Sequence, residues 1–197
     1  MKHETAVLLK EMDRNAVQTQ ILLHCAPLIA GIKIANLLIV QDTQMNTVRE
    51  LFEKREGKFA CKVLYSGAGK LVLLVYRAEQ MEDYLSLEKV KKMLYQAGYR
   101  DFAVQALLHE FAKRFAAYRE KRGSFPHEMG LFLGYPPEDV KGFIENNGKN
   151  ALCTGYWKVY CRPEEKQRLF RGFDAAREGL IRLAAGGICM EDMLKYG

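Results

Sequence analysis

The sequence predicts an α+β fold: a small mixed sheet of about four strands covered by helices, in a single domain spanning residues 1–197. Three observations carry this prediction. Short, strongly apolar runs of strand length stand at Lys33 to Val40, Phe59 to Tyr65, Leu71 to Tyr76 and Leu152 to Tyr160. Around them lie longer segments whose apolar residues recur every three or four positions, the period of a helix buried on one side. The composition, 49% hydrophobic and 27% charged over 197 residues, suffices for one substantial core and lacks the profile of a disordered chain.

In chain order, Glu4 to Met12 predicts a short amphipathic helix with Ala6, Leu8, Leu9 and Met12 inward. Asp13 or Asn15 is placed to cap a second helix carrying Val17, Ile21 and Cys25 on one face. Pro27 is expected to close it, because the residue before a proline is pushed out of the helical region. His24 then falls in its last turn, where an imidazole bonds free carbonyls, a more economical role than metal ligation. KIANLLIV, Lys33 to Val40, reads as a central strand buried on both faces. Asp42 to Arg55 reads as a helix with Met45, Val48, Leu51 and Phe52 inward and Gly57 as its stop, a connection that permits a crossover to a parallel neighbour.

FACKVLY and LVLLVYR are joined by SGAGK, Ser66 to Lys70. A phosphate loop needs a glycine five residues before its last glycine and a Ser or Thr after its lysine, but Leu64 and Leu71 occupy those positions. The segment therefore reads as a glycine-bearing hairpin turn, and the motif gives no case for nucleotide binding. Beyond Arg77, Ser86 is placed to cap a helix with Leu87, Val90, Met93 and Leu94 inward and Gly98 as its stop. Asp101 is placed to cap a longer helix reaching Lys121, with Val104, Leu107, Leu108, Phe111, Phe115 and Tyr118 as its buried stripe. His109 falls off that stripe, without the second histidine of a zinc-protease helix, and reads as solvated. A last long helix spans Pro163 to Ala185, weakened by Gly172 and Gly179. The tail to Gly197 keeps Ile188, Met190, Met193 and Leu194, enough to dock on the body or to join a second copy as a homo-oligomer.

Composition narrows the partners. No apolar run reaches the roughly 20 residues of a spanning helix, and the N-terminus, MKHETAVLLKEMD, lacks the apolar core of a signal peptide, so a cytoplasmic location and no membrane partner are expected. Five cysteines, Cys25, Cys61, Cys153, Cys161 and Cys189, show no CxxC spacing and argue against a zinc ribbon or a disulfide framework. If Cys153 and Cys161 end one extended strand, they stand roughly 26 Å apart. The net charge of +6 favours an acidic partner. Most basic residues alternate with acids, and the one local excess is Lys113, Arg114, Arg119, Lys121 and Arg122.

The densest stretch of unusual residues runs from Ser124 to Tyr160. Ser124 is placed to cap a helix with Pro126 in its first turn, which puts His127 and Glu128 at the helix's positive end, and Gly134 stops that helix. Tyr135-Pro136-Pro137 forms a rigid corner, followed by a helix with Glu138 and Asp139 in its acidic first turn and Val140, Phe143 and Ile144 inward, ended by Asn147-Gly148. Cys153 to Cys161 then alternates: Cys153, Trp157, Val159 and Cys161 on a core face, Thr154, Tyr156, Lys158 and Tyr160 on the other.

His127 and Glu128 are the candidate catalytic pair. A helix N-terminus favours the neutral imidazole, the form that acts as a base, while Glu128 favours the charged form. The bland reading is that the two residues merely cap the helix. Arg122, Tyr135, Tyr156 and Lys158 are the candidate ligand-binding residues, since a lysine between two tyrosines can hold an anion or a flat ring, or can simply pack its stem along the phenols. The sequence names no metal site and no cofactor.

The run FPHEMGLFLGYPPEDVKGFI, with GKNALCTGYWKVY after it and HCAPLIAGIK near the N-terminus, closely resembles a bacterial family of unknown function, domain-of-unknown-function family 3793, common in anaerobic Gram-positive organisms. The resemblance covers essentially the whole chain. Its signature is Pro126, His127 and Glu128, then Leu133, Gly134, Tyr135 and Pro136. It implies no catalytic residue, because the family carries no established activity, and it implies a setting in redox or iron physiology.

Three functional readings remain. The first, and the favoured one, is an uncharacterised cytoplasmic protein that binds an anionic or planar small molecule or a partner protein without catalysis. The second is an enzyme in which His127 and Glu128 act as an acid-base pair on an anionic small molecule held by Arg122 or Lys158. The third, ranked last, is a weak nucleic-acid binder built on the basic end of the long helix.

Overall fold

The computed structural model describes residues 3–13, 15–52 and 58–196. In chain order its elements are α1 (His3–Glu11), α2 (Val17–Ile29), β1 (Ala35–Gln41), α3 (Met45–Phe52), β2 (Phe59–Gly67), β3 (Lys70–Arg77), α4 (Ala78–Ser86), α5 (Glu88–Gln96), α6 (Val104–Arg119), α7 (Met129–Phe132), α8 (Pro137–Glu145), β4 (Cys153–Thr154), β5 (Lys158–Val159), α9 (Pro163–Ala185) and α10 (Met190–Tyr196). The fold is α+β, as the sequence predicts. The elements group into two compact units, Met1–Ala78 with Arg171–Gly197, and Glu79–Phe170.

In the first unit, β1, β3 and β2 form an antiparallel sheet in that order. The expected central strand, β1, is therefore an edge, and β3 is the centre. A continuous apolar run does not by itself distinguish the two positions: Leu71 to Tyr76 of β3 are all buried, whereas Ile39 of β1 is 55% exposed. The crossover through α3 does lay β2 parallel to β1, but β3 pairs antiparallel with both and stands between them. The expected end of that helix, Arg55 with Gly57, lies outside the described residues. The SGAGK segment is a hairpin turn: Ala68 and Gly69 connect Gly67 to Lys70 with φ of +52° and +69°, the type I′ geometry that matches strand twist.

Pro27 does not close α2, which runs on to Ile29. The helix continues because its last carbonyls find other donors. The Pro27 carbonyl accepts from the Ile32 and Lys33 amides at 3.0 and 3.1 Å. Arg77, buried on β3, donates Nε to the Leu28 carbonyl at 2.8 Å and Nη2 to the Ile29 carbonyl at 2.9 Å, with its guanidinium 4.9 Å from the Phe59 ring centre. Arg77 is the cap of α2, and His24, which is exposed well before the helix end, is not. At the other end Ala16 is the N-cap, and Asp13 accepts from the Asn15 amide instead. The core gathers Ile21, Cys25, Leu28, Leu38, Phe52, Leu73 and Ile181. The tail docks on this body: α10 buries Met190, Met193 and Leu194 in the same core, against α2 and α3.

The second unit is built on aromatic packing. Phe111 of α6 stacks on Phe132 of α7 at 4.3 Å, and Tyr99 lies 5.7 Å from the same ring. Ser86 and Asp101 both sit before helices without capping them: Ser86 Oγ donates back to the Asp83 carbonyl at 2.7 Å, Asp101 accepts from the Ala103 amide at 2.9 Å, and the N-caps are Leu87 and Ala103.

Two expectations for the stretch from Ser124 onward are corrected. The helix begins only at Met129, with Glu128 as N-cap, so His127 precedes it rather than occupying its first turn. Phe125 comes before a proline, which disfavours the helical region for it, and here the helix starts after that pair. The segment expected as a fourth strand, Leu152 to Tyr160, instead folds back on itself as the two-residue strands β4 and β5, a ribbon separate from the sheet. Gly155 permits the reversal, because a Cβ there would lie 2.3 Å from the Phe170 ring. Cys153 faces Val159 across the ribbon, so the long separation from Cys161 expected of one extended strand does not apply. Of the expected core face, Trp157 and Val159 are buried, but Cys153 and Cys161 are only half-buried, as are Tyr156 and Tyr160 of the face expected to point away.

Candidate functional site

The site lies in the second unit, where α7, α8 and the β4–β5 ribbon converge. Gly134, at φ +71°, ends α7, and Pro136 is the N-cap of α8, so Tyr135 lies at a stiff corner. Tyr84 donates its hydroxyl to the Tyr135 carbonyl at 2.6 Å. α7 and α8 approach closely at Gly130, where a Cβ would lie 2.8 Å from Val140 Cγ2. The ribbon is tied to α8 by Asp139. Its Oδ2 accepts the Trp157 indole N–H at 2.8 Å, and its Oδ1 accepts the Tyr160 and Cys161 amides at 2.8 and 3.0 Å. These bonds hold the Trp157 ring against Tyr135, with ring centres 4.6 Å apart and planes 25° from parallel.

Together these elements line a half-open cavity of about 280 Å³ whose walls carry five aromatic rings, Phe125, Tyr135, Phe143, Tyr156 and Trp157, together with His127 and Lys158. The His127 ring lies 5.2 Å from Phe125 and 5.7 Å from Phe143. Lys158 donates to the Gly148 carbonyl at 2.6 Å, with its ammonium 6.0 Å from the centre of the Phe143 ring. Burial pushes the Tyr135 hydroxyl up to about 12, so it stays protonated at neutral pH. A second cavity of about 640 Å³ adjoins the first, with Phe125 and His127 in the walls of both.

Four of the six residues proposed from sequence, His127, Tyr135, Tyr156 and Lys158, line the aromatic cavity together. Glu128 and Arg122 do not. Glu128 is 8% exposed, and its Oε1 accepts from the Tyr99 hydroxyl at 3.1 Å and from Arg114 Nη1 at 3.3 Å. Arg114 also donates to the Ala97 carbonyl at 2.6 Å and to Glu110 at 2.9 Å, and its guanidinium lies 4.1 Å from the Tyr99 ring centre. Burial and the neighbouring Glu128 carboxylate raise the Tyr99 hydroxyl well above its usual range. The Glu128 carboxylate is thus bonded to Tyr99 and Arg114 on the wall of the larger cavity, which His127 also borders. Arg122 is exposed and bonds to Glu120 through Nε at 2.8 Å. Lys113 likewise faces Glu110 at 3.5 Å, so acids oppose Lys113, Arg114 and Arg122 in the local excess.

Sequence reasoning missed Phe125 and Phe143 as cavity walls and Asp139 as the tie. Phe143 sits on the apolar stripe of α8 and is indistinguishable there from a core residue. Asp139 looks like an ordinary acid in a helix's first turn, and nothing local reveals a partner 18 residues away. Chemically, the cavity offers flat apolar walls, one ammonium and one imidazole, and both Asp139 oxygens are already engaged. Among the described residues no group of three or more His, Cys, Asp or Glu side chains is placed to hold a metal ion, and no helix is long and apolar enough to cross a membrane.

No curated protein and no solved structure matches the chain. A family model described as protein of unknown function (DUF3793) matches residues 21–194, which takes in the sheet, the aromatic cavity and both long helices, and the chain belongs to this family.

Proposed function

We propose that the chain is a non-catalytic, cytoplasmic small-molecule-binding or accessory protein whose aromatic cavity takes a planar molecule bearing an acidic group. The observation that carries this reading is the set of five rings around one cavity with the Lys158 ammonium on its wall. Flat aromatic walls stack on a conjugated ring, and an ammonium bonded to a carbonyl, with no carboxylate across from it in that bond, can take up an anionic substituent. The bonding of Glu128 to Tyr99 and Arg114 supports binding over acid-base chemistry, because the carboxylate expected to partner His127 already accepts from two other donors. A setting in redox or iron physiology is what the family resemblance implies. The catalytic reading keeps two supporting observations: His127 and Lys158 share the aromatic cavity, as an enzyme acting on an anion would require, and His127 and Glu128 both border the larger one.

Trp157 is the chain's single tryptophan and forms part of the cavity wall, so its fluorescence reports occupancy. Titration with naphthalene-2-sulfonate is expected to give a saturable change in that emission. Absence of any saturable change up to about 1 mM, the weak end of specific affinity, would remove this reading.

A further inference from the structure

Phe125 and His127 stand in the walls of both the aromatic cavity and the adjoining cavity of about 640 Å³, so the two spaces are neighbours across a single pair of side chains. Their linings differ in kind. The larger space is walled by Met93, Ala97, Ala117, Leu131 and Ile144. Its charged members answer one another: Arg114 bonds to Glu128 at 3.3 Å, and Lys141 faces Glu145 at 3.6 Å. A space whose charges are paired and whose other walls, apart from Gln96, Ser124 and His127, are apolar favours an uncharged apolar group over a second anion. The aromatic cavity, by contrast, holds Lys158, whose ammonium bonds to a backbone carbonyl.

We propose that the two cavities form one bipartite site for an amphiphile: a planar acidic head in the aromatic cavity and an aliphatic tail running past Phe125 and His127 into the larger one. This rests on the reading of the aromatic cavity as a site for planar acids, and it adds the class of ligand. The segment carrying the dividing side chains, residues 123–128, lies outside any helix or strand. Phe125 contacts Tyr118 at 5.1 Å and His127 at 5.2 Å, both edge-on, so it stands among rings instead of being locked into a helix face. A tail passing there contacts aromatic edges throughout.

The test compares two probes on the full-length chain by Trp157 fluorescence: naphthalene-2-sulfonate and the same ring carrying a butyl chain at position 6. Partial burial of four methylene-sized groups is expected to tighten binding by about tenfold. Ala97→Phe fills the larger cavity from the end of α5 without reaching the aromatic one. It is expected to remove the advantage of the butyl chain while leaving the affinity for the short probe unchanged. Ala117→Leu, on α6, provides the same reading from a second wall should Ala97→Phe fold poorly. If the short probe binds and the butyl chain adds nothing in the native protein, or if its advantage survives both substitutions, the bipartite site is wrong and the aromatic site stands. If neither probe binds, both fall.

Discussion

Asp139 accepts the indole N–H of Trp157 at 2.8 Å from a position only 1% exposed, and its other oxygen takes the amides of Tyr160 and Cys161, just past the ribbon. One carboxylate thus joins a helix start to a ribbon and sets the ring that walls the cavity. Asp139→Ala leaves three donors without their acceptor. At about 1 to 3 kcal/mol for each buried group left unpaired, softened by water entering the gap, a loss of about 3 kcal/mol or more is expected. Urea denaturation followed by Trp157 emission measures it, and a loss under about 1 kcal/mol would show that the carboxylate is not the tie described.

Gly142 lies inside α8, where alanine is ordinarily the better helix former by about 1 kcal/mol. Here the opposite outcome is expected. A Cβ at this position would stand 2.5 Å from both Cβ and Cγ of Tyr160, and those atoms belong to the root of a side chain on a tied segment. Overpacking of this kind costs about 1 to 3 kcal/mol, so Gly142→Ala is expected to destabilise the protein on balance. A raised unfolding midpoint would contradict the close approach.

The hairpin turn offers a gain. Ala68 holds φ +52°, a left-handed conformation that costs a residue with a Cβ about 1 kcal/mol, and Gly69 follows it. Ala68→Asn creates the Asn-Gly pair that type I′ turns prefer, and a stabilisation of about 0.5 to 1 kcal/mol is expected in thermal or urea unfolding.

Lys33 and Cys25 make stability depend on alkaline pH in opposite senses. Burial lowers the Lys33 ammonium from an ordinary 10.5 to about 8. Between those values the unfolded chain binds a proton that the folded chain has given up, so stability rises with pH, by at most about 1.4 kcal/mol per unit. Burial raises the Cys25 thiol from 9.0 to about 12. Above pH 9 the unfolded chain releases a proton that the folded chain keeps, so stability falls there. The native protein should therefore gain stability from about pH 8 to about pH 9 and level off beyond. Lys33→Met is expected to abolish the rise, and Cys25→Ala to extend it toward pH 10, where buried tyrosines such as Tyr84 and Tyr135 begin to oppose it. Urea midpoints across this range decide the matter, and an unchanged slope in Lys33→Met would assign the effect elsewhere.

Lys158→Met keeps the aliphatic stem and removes the charge. For naphthalene-2-sulfonate a five- to tenfold loss of affinity, about 1 to 1.4 kcal/mol, is expected, with little change for uncharged 2-naphthol. Equal losses for both probes would mean that the substitution disturbs the ring walls and that the ammonium does not recognise the anion.

Much of this architecture was legible in the chain. The helix from Pro163 to Ala185, the apolar stripes around Leu107 and Phe111, the hairpin at Ala68-Gly69 and the corner at Tyr135-Pro136 all follow from period and backbone chemistry, which act over a few residues. The candidate site was legible in part: His127, Tyr135, Tyr156 and Lys158 do meet, but the proximity of Tyr156 and Lys158 to His127 depends on a ribbon that reads locally as one strand. Where the reading failed, a distant partner intervened. Pro27 looked like a helix end until Arg77, 50 residues on, supplied the donors for the exposed carbonyls. β1 looked central until β3, more completely buried, took that place.

By itself the sequence determined the α+β class, the family signature, the turns and caps set by glycine and proline, and the residue types available to a site. Tertiary structure decided that His127 and Glu128, adjacent in the chain, both border the larger cavity, that only His127 also reaches the aromatic one, and that the Glu128 carboxylate is bonded to Tyr99 and Arg114. The reason is physical. Backbone geometry and hydrophobic period are properties of neighbours along the chain. The partner of a buried carboxylate is chosen by which donors the packing brings within hydrogen-bond reach, and those donors lie 14 and 29 residues away.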